Sequence, residues 1–263
     1  MKKIIILLAT WACMTAVANS AHPSVYLYNE TTGQVVVNTN SSTIRPIASV
    51  TKLMTAIVAL DHDPDVTKLM YLKPGARLPK GYHSREDVLK ALLVKSDNVA
   101  AESIADDYPG GRLEFMKAMN KKAEQIGLKN THFDDPSGLI ATNVSTVEEL
   151  GSLIQVSALY PFIRSVSVLE QAIIEKQKGK KKTKIVLGNT NQNLLSQFKE
   201  IVVSKTGFTS KAGFSVGLAL ERAEQKFVIV VLGAKTKEQR AKIVKDIIHT
   251  HLDIYERTQY ARS

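Results

Sequence analysis

Cysteine is nearly absent from this 263-residue chain. The single one, Cys13, lies in the N-terminal apolar stretch, so the rest of the chain offers no disulfide and no thiolate metal centre. Histidine is sparse as well: six residues, none at His-x-x-x-His spacing, and no metal or other cofactor is expected. Aromatic residues make up only 6% of the chain, and none interleaves with the densest basic run, "EKQKGKKKTK" (175–184). Single-stranded nucleic acid is bound largely by stacking on aromatic rings, so no nucleic-acid partner is expected. Two readings of that run stay open within a net charge of +10. It is a patch for an anionic polymer, or, the reading favoured here, a solvated loop or hairpin tip that resists aggregation.

A membrane-spanning run is missing too. "IIILLATWACMTAVA" is short for a spanning helix, and small polar residues follow it. It follows Lys2 and Lys3 and ends in Ala16-Val17-Ala18, the basic start, apolar core and small-x-small close of an export signal over residues 1–21. An uncleaved N-terminal anchor is the alternative. Thr10, Trp11 and Ala12 make a poor context for a lipid on Cys13. The expectation is a protein cleaved near residues 18–21, periplasmic, without a stable membrane anchor, and with residues 22–263 as one domain. No internal repeat and no linker interrupts them.

What the chain does have is strand signals at both ends and helix signals between. "SVYLYNETTGQVVVNTN" alternates around a Thr-Gly turn and predicts a hairpin over 24–29 and 33–38. Residues 47–60 read as a helix apolar on nearly every side. Helical spacing continues from about 85 to 160, in "REDVLKALLVK" and "LEFMKAMNKKAEQIGL", with "THFDDPSGL" (131–139) as a loop. "EIVVSKTGFT" (200–209), "GFSVGLALER" (213–222) and "KFVIVVLGA" (226–234) then predict an antiparallel meander. Thr236 and Gln239 have capping-box spacing for a last helix. The economical fold is α+β: an antiparallel sheet of about five strands, helices on its faces, and a mainly helical lobe.

Three short motifs fall one to each part of that fold. Ser49-Val50-Thr51-Lys52 puts a lysine one turn beyond a serine, where a neutral amine could take the hydroxyl proton. The spacing alone says little, because Ser196-Gln197-Phe198-Lys199 repeats it. Ser96-Asp97-Asn98 reads equally as a helix N-cap or as a hydroxyl and an amide facing a cleft. Lys205-Thr206-Gly207, followed by Phe208, reads as a strand end, or as a charge for a carboxylate beside a glycine that admits a ligand backbone. Ser-x-Asn and Lys-Thr-Gly each occur once.

Together the three motifs resemble those of the penicillin-recognising serine DD-peptidases. The likeness is greatest to the low-molecular-mass D-alanyl-D-alanine carboxypeptidase and endopeptidase family. It runs from about residue 24 to 250 through "RPIASVTKLMTA", "LLVKSDNVAAE", "THFDDPSGL", "NTNQNLL" and "KTGFTSKAGFSV". The resemblance implies a β-lactamase/transpeptidase-like fold and an acyl-enzyme on Ser49, with Lys52 as its base. It implies Ser96 as proton relay, Asn98 as the residue fixing that loop or the substrate amide, and Lys205 and Thr206 on the terminal carboxylate. The oxyanion would lie between the N–H groups of Ser49 and Phe208, beside Gly207. A carboxylate-binding arginine is implied just after the last strand, where Arg240 falls; a solvated place on the final helix is its other reading. The partners implied are peptidoglycan peptides, with β-lactams as covalent inhibitors.

A class A β-lactamase shares "SDN" but needs a glutamate four residues before an asparagine, and residues 99–204 contain no such pair. A basic, non-catalytic envelope protein is the rival from another class. Within the family, this chain stops about one helix past the last strand, as the endopeptidase branch does. That favours cleavage of D-alanyl–diaminopimelyl cross-links over trimming of pentapeptide tails.

Overall fold

The computed structural model describes residues 22–178 and 181–253. The expected export signal and the centre of the lysine run, residues 179 and 180, lie outside them. In chain order the elements begin with strands β1 (Ser24–Asn29), β2 (Gln34–Thr39) and β3 (Arg45–Pro46), then a 3₁₀ turn (Ala48–Thr51) and α1 (Lys52–His62). Next come β4 (Leu69–Leu72), β5 (Gly81–Ser84), α2 (Arg85–Leu93), α3 (Asn98–Asp107) and α4 (Gly111–Gln125). β6 (Val144–Ser145), α5 (Val147–Ser157), α6 (Pro161–Ser167), β7 (Gln171–Lys178), β8 (Lys181–Gly188) and α7 (Gln192–Gln197) follow. The chain returns through β9 (Ile201–Thr209), β10 (Gly213–Arg222), β11 (Gln225–Ala234) and α8 (Lys237–Ile247).

The two ends of the chain meet in one antiparallel five-stranded sheet of order β2-β1-β11-β10-β9. β1 pairs with β11 across about two hundred residues, Leu27 opposite Ile229. β11 is apolar at every central position because both faces of the sheet are covered. Phe227, Ile229 and Val231 face Val244, Ile247 and Ile248 of the C-terminal helical segment. Val228, Val230 and Leu232 face the larger core shared with α1 and α5. The alternation follows from the two-residue period of a strand.

α1 is the hub of the helical lobe: every residue from Lys52 to Leu60 is buried. Such a helix can carry a polar side chain only where that side chain finds partners. α8 opens with the Thr236 hydroxyl accepting from the Gln239 N–H at 3.0 Å, while the Gln239 amide oxygen accepts from the Lys235 N–H at 2.6 Å. Two hairpins were not read from the sequence. β4–β5 stands beside α2 and α3, and β7–β8 carries the lysine run on paired strands. Among the described residues no helix is long and apolar enough to cross a membrane.

Candidate active site

Three elements converge where the sheet meets the lobe. Ser49 stands in the 3₁₀ turn, not in the first turn of an α-helix as its sequence suggests, and Lys52 is the first residue of α1. The tighter turn matters. With three residues per turn, positions i and i+3 lie one above the other, and the Lys52 Nζ donates to Ser49 Oγ at 2.8 Å. The same ammonium donates to Asn98 Oδ1 at 2.7 Å and to the Ser137 carbonyl at 2.5 Å.

The Ser-Asp-Asn stretch satisfies both of its readings at once. Asp97 caps α3, its Oδ1 accepting from Val99 N and Ala100 N, and its Oδ2 takes the Arg77 N–H at 2.5 Å. That cap leaves Asn98 free to face Lys52 and sets Ser96 at φ +60°, a left-handed conformation uncommon for serine. Strained backbone of this kind is held in place by the structure around it. Here it brings Ser96 Oγ within 2.8 Å of Lys205 Nζ on β9.

β9 lies against the 3₁₀ turn because Gly207 has no side chain. A Cβ there would sit 2.9 Å from the Ile47 carbonyl and 3.0 Å from both Ala48 Cβ and Ser49 N. The contact aligns Thr206, Gly207 and Phe208 with Ser49 along one cavity of about 270 Å³, which Ser96 and Arg240 also line; Lys205 is buried beside it. Sequence reasoning overlooked three more lining residues, Thr190, Phe214 and Lys237. Thr190 comes from "NTNQNLL", the stretch that carried the family likeness without an assigned role. Its hydroxyl meets that of Thr206 at 2.7 Å, and its N–H donates to the Val94 carbonyl at 3.2 Å. The Phe208 ring, 55% exposed, stacks on Phe214 with centroids 4.2 Å apart.

The electrostatics are those of cations pressed into a dry place. Burial drives the Lys52 pKa down to about 7, against the opposing pull of Asp135, Asp97 and Glu102. Lys205 is driven well below the ordinary lysine value, by burial first and then by Lys52 and Arg240. Burial likewise lowers Arg240 to about 10; its Nη1 donates to the Ser215 carbonyl at 3.4 Å, and its Nε has no partner among the described residues. A neutral amine on a serine hydroxyl, with cations lining an adjoining cavity, can activate a nucleophile and hold an anion. The Ser196 copy does neither. Its Oγ bonds the Asn193 carbonyl at 3.1 Å, and Lys199 reaches out to Glu170 at 2.5 Å.

Comparison with known proteins identifies the family. The family model described as D-alanyl-D-alanine carboxypeptidase matches residues 66–236. A D-alanyl-D-alanine endopeptidase of Pseudomonas aeruginosa is 35% identical over 226 residues, which is 81% of this chain and 72% of that protein. The solved Streptomyces K15 DD-transpeptidase superposes with a TM-score of 0.80 at 24% identity, covering 86% of this chain and 95% of its own. Penicillin-binding protein D2 from Listeria monocytogenes, solved in its cefotaxime-bound form, gives 0.75 at 28% identity with the same coverage.

Proposed function

The chain belongs to the D-alanyl-D-alanine carboxypeptidase family, a family of serine DD-peptidases, and from that premise we propose that it is a periplasmic enzyme cutting D-alanyl–diaminopimelyl cross-links of peptidoglycan through an acyl-enzyme on Ser49. The observation that carries this reading is the Lys52–Ser49 hydrogen bond at 2.8 Å, made by a lysine held near neutrality. The endopeptidase preference draws on the Pseudomonas relative, which bears that name.

Lys52 takes the hydroxyl proton as Ser49 Oγ attacks the carbonyl carbon. A positioned base of this kind is worth roughly two to four powers of ten in rate. The oxyanion lies between the backbone N–H groups of Ser49 and Phe208, each such donor contributing on the order of 3 kcal/mol. As the C–N bond breaks, the proton passes through Ser96 to the leaving amine, and the acyl group stays on Ser49 until water releases it. Asn98 keeps Lys52 oriented. The carboxylate next to the leaving amine is held by Lys205, Thr206 and Arg240. β-Lactams acylate Ser49 in the same way and leave slowly, as the cefotaxime-bound neighbour suggests.

Digestion of purified cross-linked peptidoglycan tests the preference: dimeric muropeptides fall to monomers. If pentapeptide tails lose their last alanine while dimers persist, the enzyme is a carboxypeptidase. Fluorescent penicillin tests the class. It labels the protein covalently, and an unlabelled protein would leave a non-catalytic envelope role.

A further inference from the structure

Residues 135–143 form a loop laid across the segment that carries Ser49 and Lys52. At its root is Asp135, buried among the loop's own backbone N–H groups. Its Oδ1 accepts from Ser137 N at 2.6 Å, Ser137 Oγ at 2.8 Å, Gly138 N at 2.5 Å and Leu139 N at 3.3 Å. Its Oδ2 accepts from Ile140 N at 2.6 Å. Both carboxylate oxygens are thus spent on the loop's own donors, and the loop is folded around them.

The loop is then bonded to the nucleophile's segment. The Ser137 carbonyl takes the Lys52 ammonium at 2.5 Å, and the Pro136 carbonyl takes the Thr55 hydroxyl at 2.5 Å. Asn143 donates to Thr51 Oγ1 at 3.1 Å, and its carbonyl accepts from Ile47 N at 3.0 Å. Gly138 adopts φ +80°, and a Cβ there would lie 1.9 Å from the Ala48 carbonyl oxygen. The loop can approach so closely only with glycine at that position.

Resting on the reading of Lys52 as the general base, we propose that Asp135 is a positioning residue for it. Its carboxylate holds the Ser137 carbonyl on the Lys52 Nζ and sets a buried negative charge against the cations across the site. Asp135 does not touch the reacting atoms; it acts through the loop and through its field.

The groups facing Lys52 show why such a charge is useful. From β9 comes Lys205, itself driven down by burial, by Lys52 and by Arg240 of α8. From α3 and its cap come Glu102 and Asp97, already engaged with Arg112 and with the Arg77 and helix N–H groups. Asp135 is the largest of the three carboxylate influences that favour the ammonium. Burial weakens the Lys52 amine as a base, and Asp135 opposes that loss. A base is most effective when its pKa lies near the working pH.

The sign of the effect is testable. Ser49 acylation by fluorescent penicillin, followed against pH, should rise through a midpoint of about 7 as Lys52 loses its proton. In Asp135→Asn the midpoint moves down by roughly one pH unit, and the plateau falls several-fold because the base is weaker. Ser137→Ala removes one donor but keeps both the carboxylate and the carbonyl, and leaves the midpoint in place. A lowered plateau with an unmoved midpoint in Asp135→Asn overturns the proposal. So does a Ser137→Ala midpoint that moves as far. If Asp135→Asn does not fold, Asp135→Glu decides: it keeps the charge but displaces the Ser137 carbonyl, so the plateau must fall, and an unchanged pH profile overturns the proposal. Failure of the wild type to be acylated at all would instead remove the function proposed above, and this inference with it.

Discussion

The molecule contains the Ser-x-x-Lys spacing twice, and the two copies differ in everything but spacing. Lys52 is 0% exposed and has three hydrogen-bond acceptors, drawn from the 3₁₀ turn, α3 and the 135–143 loop. The Lys199 side chain is 69% exposed and paired with the Glu170 carboxylate at 2.5 Å. Ser49 sits in a 3₁₀ turn, which stacks positions i and i+3; Ser196 sits near the end of α7 and bonds the carbonyl three residues back. A lysine becomes a base by losing water without gaining a counter-ion in contact. That is a property of what packs around the motif.

The largest expected separation between the copies comes from the hydroxyls. Ser49→Ala should abolish penicillin labelling and lower cross-link cleavage by roughly four powers of ten or more. Ser196→Ala should leave both unchanged, and if it does not, the two sites are not as different as their surroundings imply. Lys52→Met should cost roughly 10²–10⁴ in acylation rate at neutral pH. It should also erase the rise of activity through a midpoint of about 7. A variant with that limb intact would assign it to another group.

Next is a residue belonging only to the first site. Thr190→Val removes the hydroxyl paired with Thr206. The loss of one such hydrogen bond, about 1 kcal/mol, should raise KM roughly five-fold with little change in kcat, and Thr190→Ser should restore it. Equal losses in kcat and KM would mark a structural role instead. The smallest effect belongs to the second copy: Lys199→Met removes an exposed ion pair and should shift stability by less than about 1 kcal/mol, measured by urea unfolding.

Legibility followed the same divide between pattern and surroundings. β1 and β10 have the limits their alternation predicts, the second strand of the predicted 24–38 hairpin is shifted by one residue, and the final helix opens at its predicted Thr236 cap. Periodicity is a local signal and survives translation into structure. The start of the 47–60 helix did not. Its first turn is 3₁₀, with Ala48 at φ +48°, because β9 and the 135–143 loop press against it from regions far along the chain. β7 and β8 were obscured by lysines, which do not alternate with apolar residues. In the site, Ser49, Lys52, Ser96, Asn98 and Lys205 came together as their motifs implied. Arg240, left between two readings, proved buried and on the cavity wall. Thr190 and Asp135 were not legible as site residues. One meets its partner through a hydroxyl sixteen residues away, and the other acts through a carbonyl that no side-chain pattern records.

One consequence follows from the strand order. β9 is the last strand of the sheet, so among the described residues no strand neighbours its backbone groups along one side. Such a rim ordinarily invites pairing with another chain, and proteins blunt it with charge, proline or a covering loop. In this protein the 3₁₀ turn and α6 cover part of the rim, and the stretch from Thr206 to Phe208 opens onto the cavity. An extended peptide binds such a rim by its main chain before its side chains are consulted. The hazard of self-association and the ability to grip a stretched peptide are therefore one property. The protein keeps it over three residues of β9 and masks much of the rest.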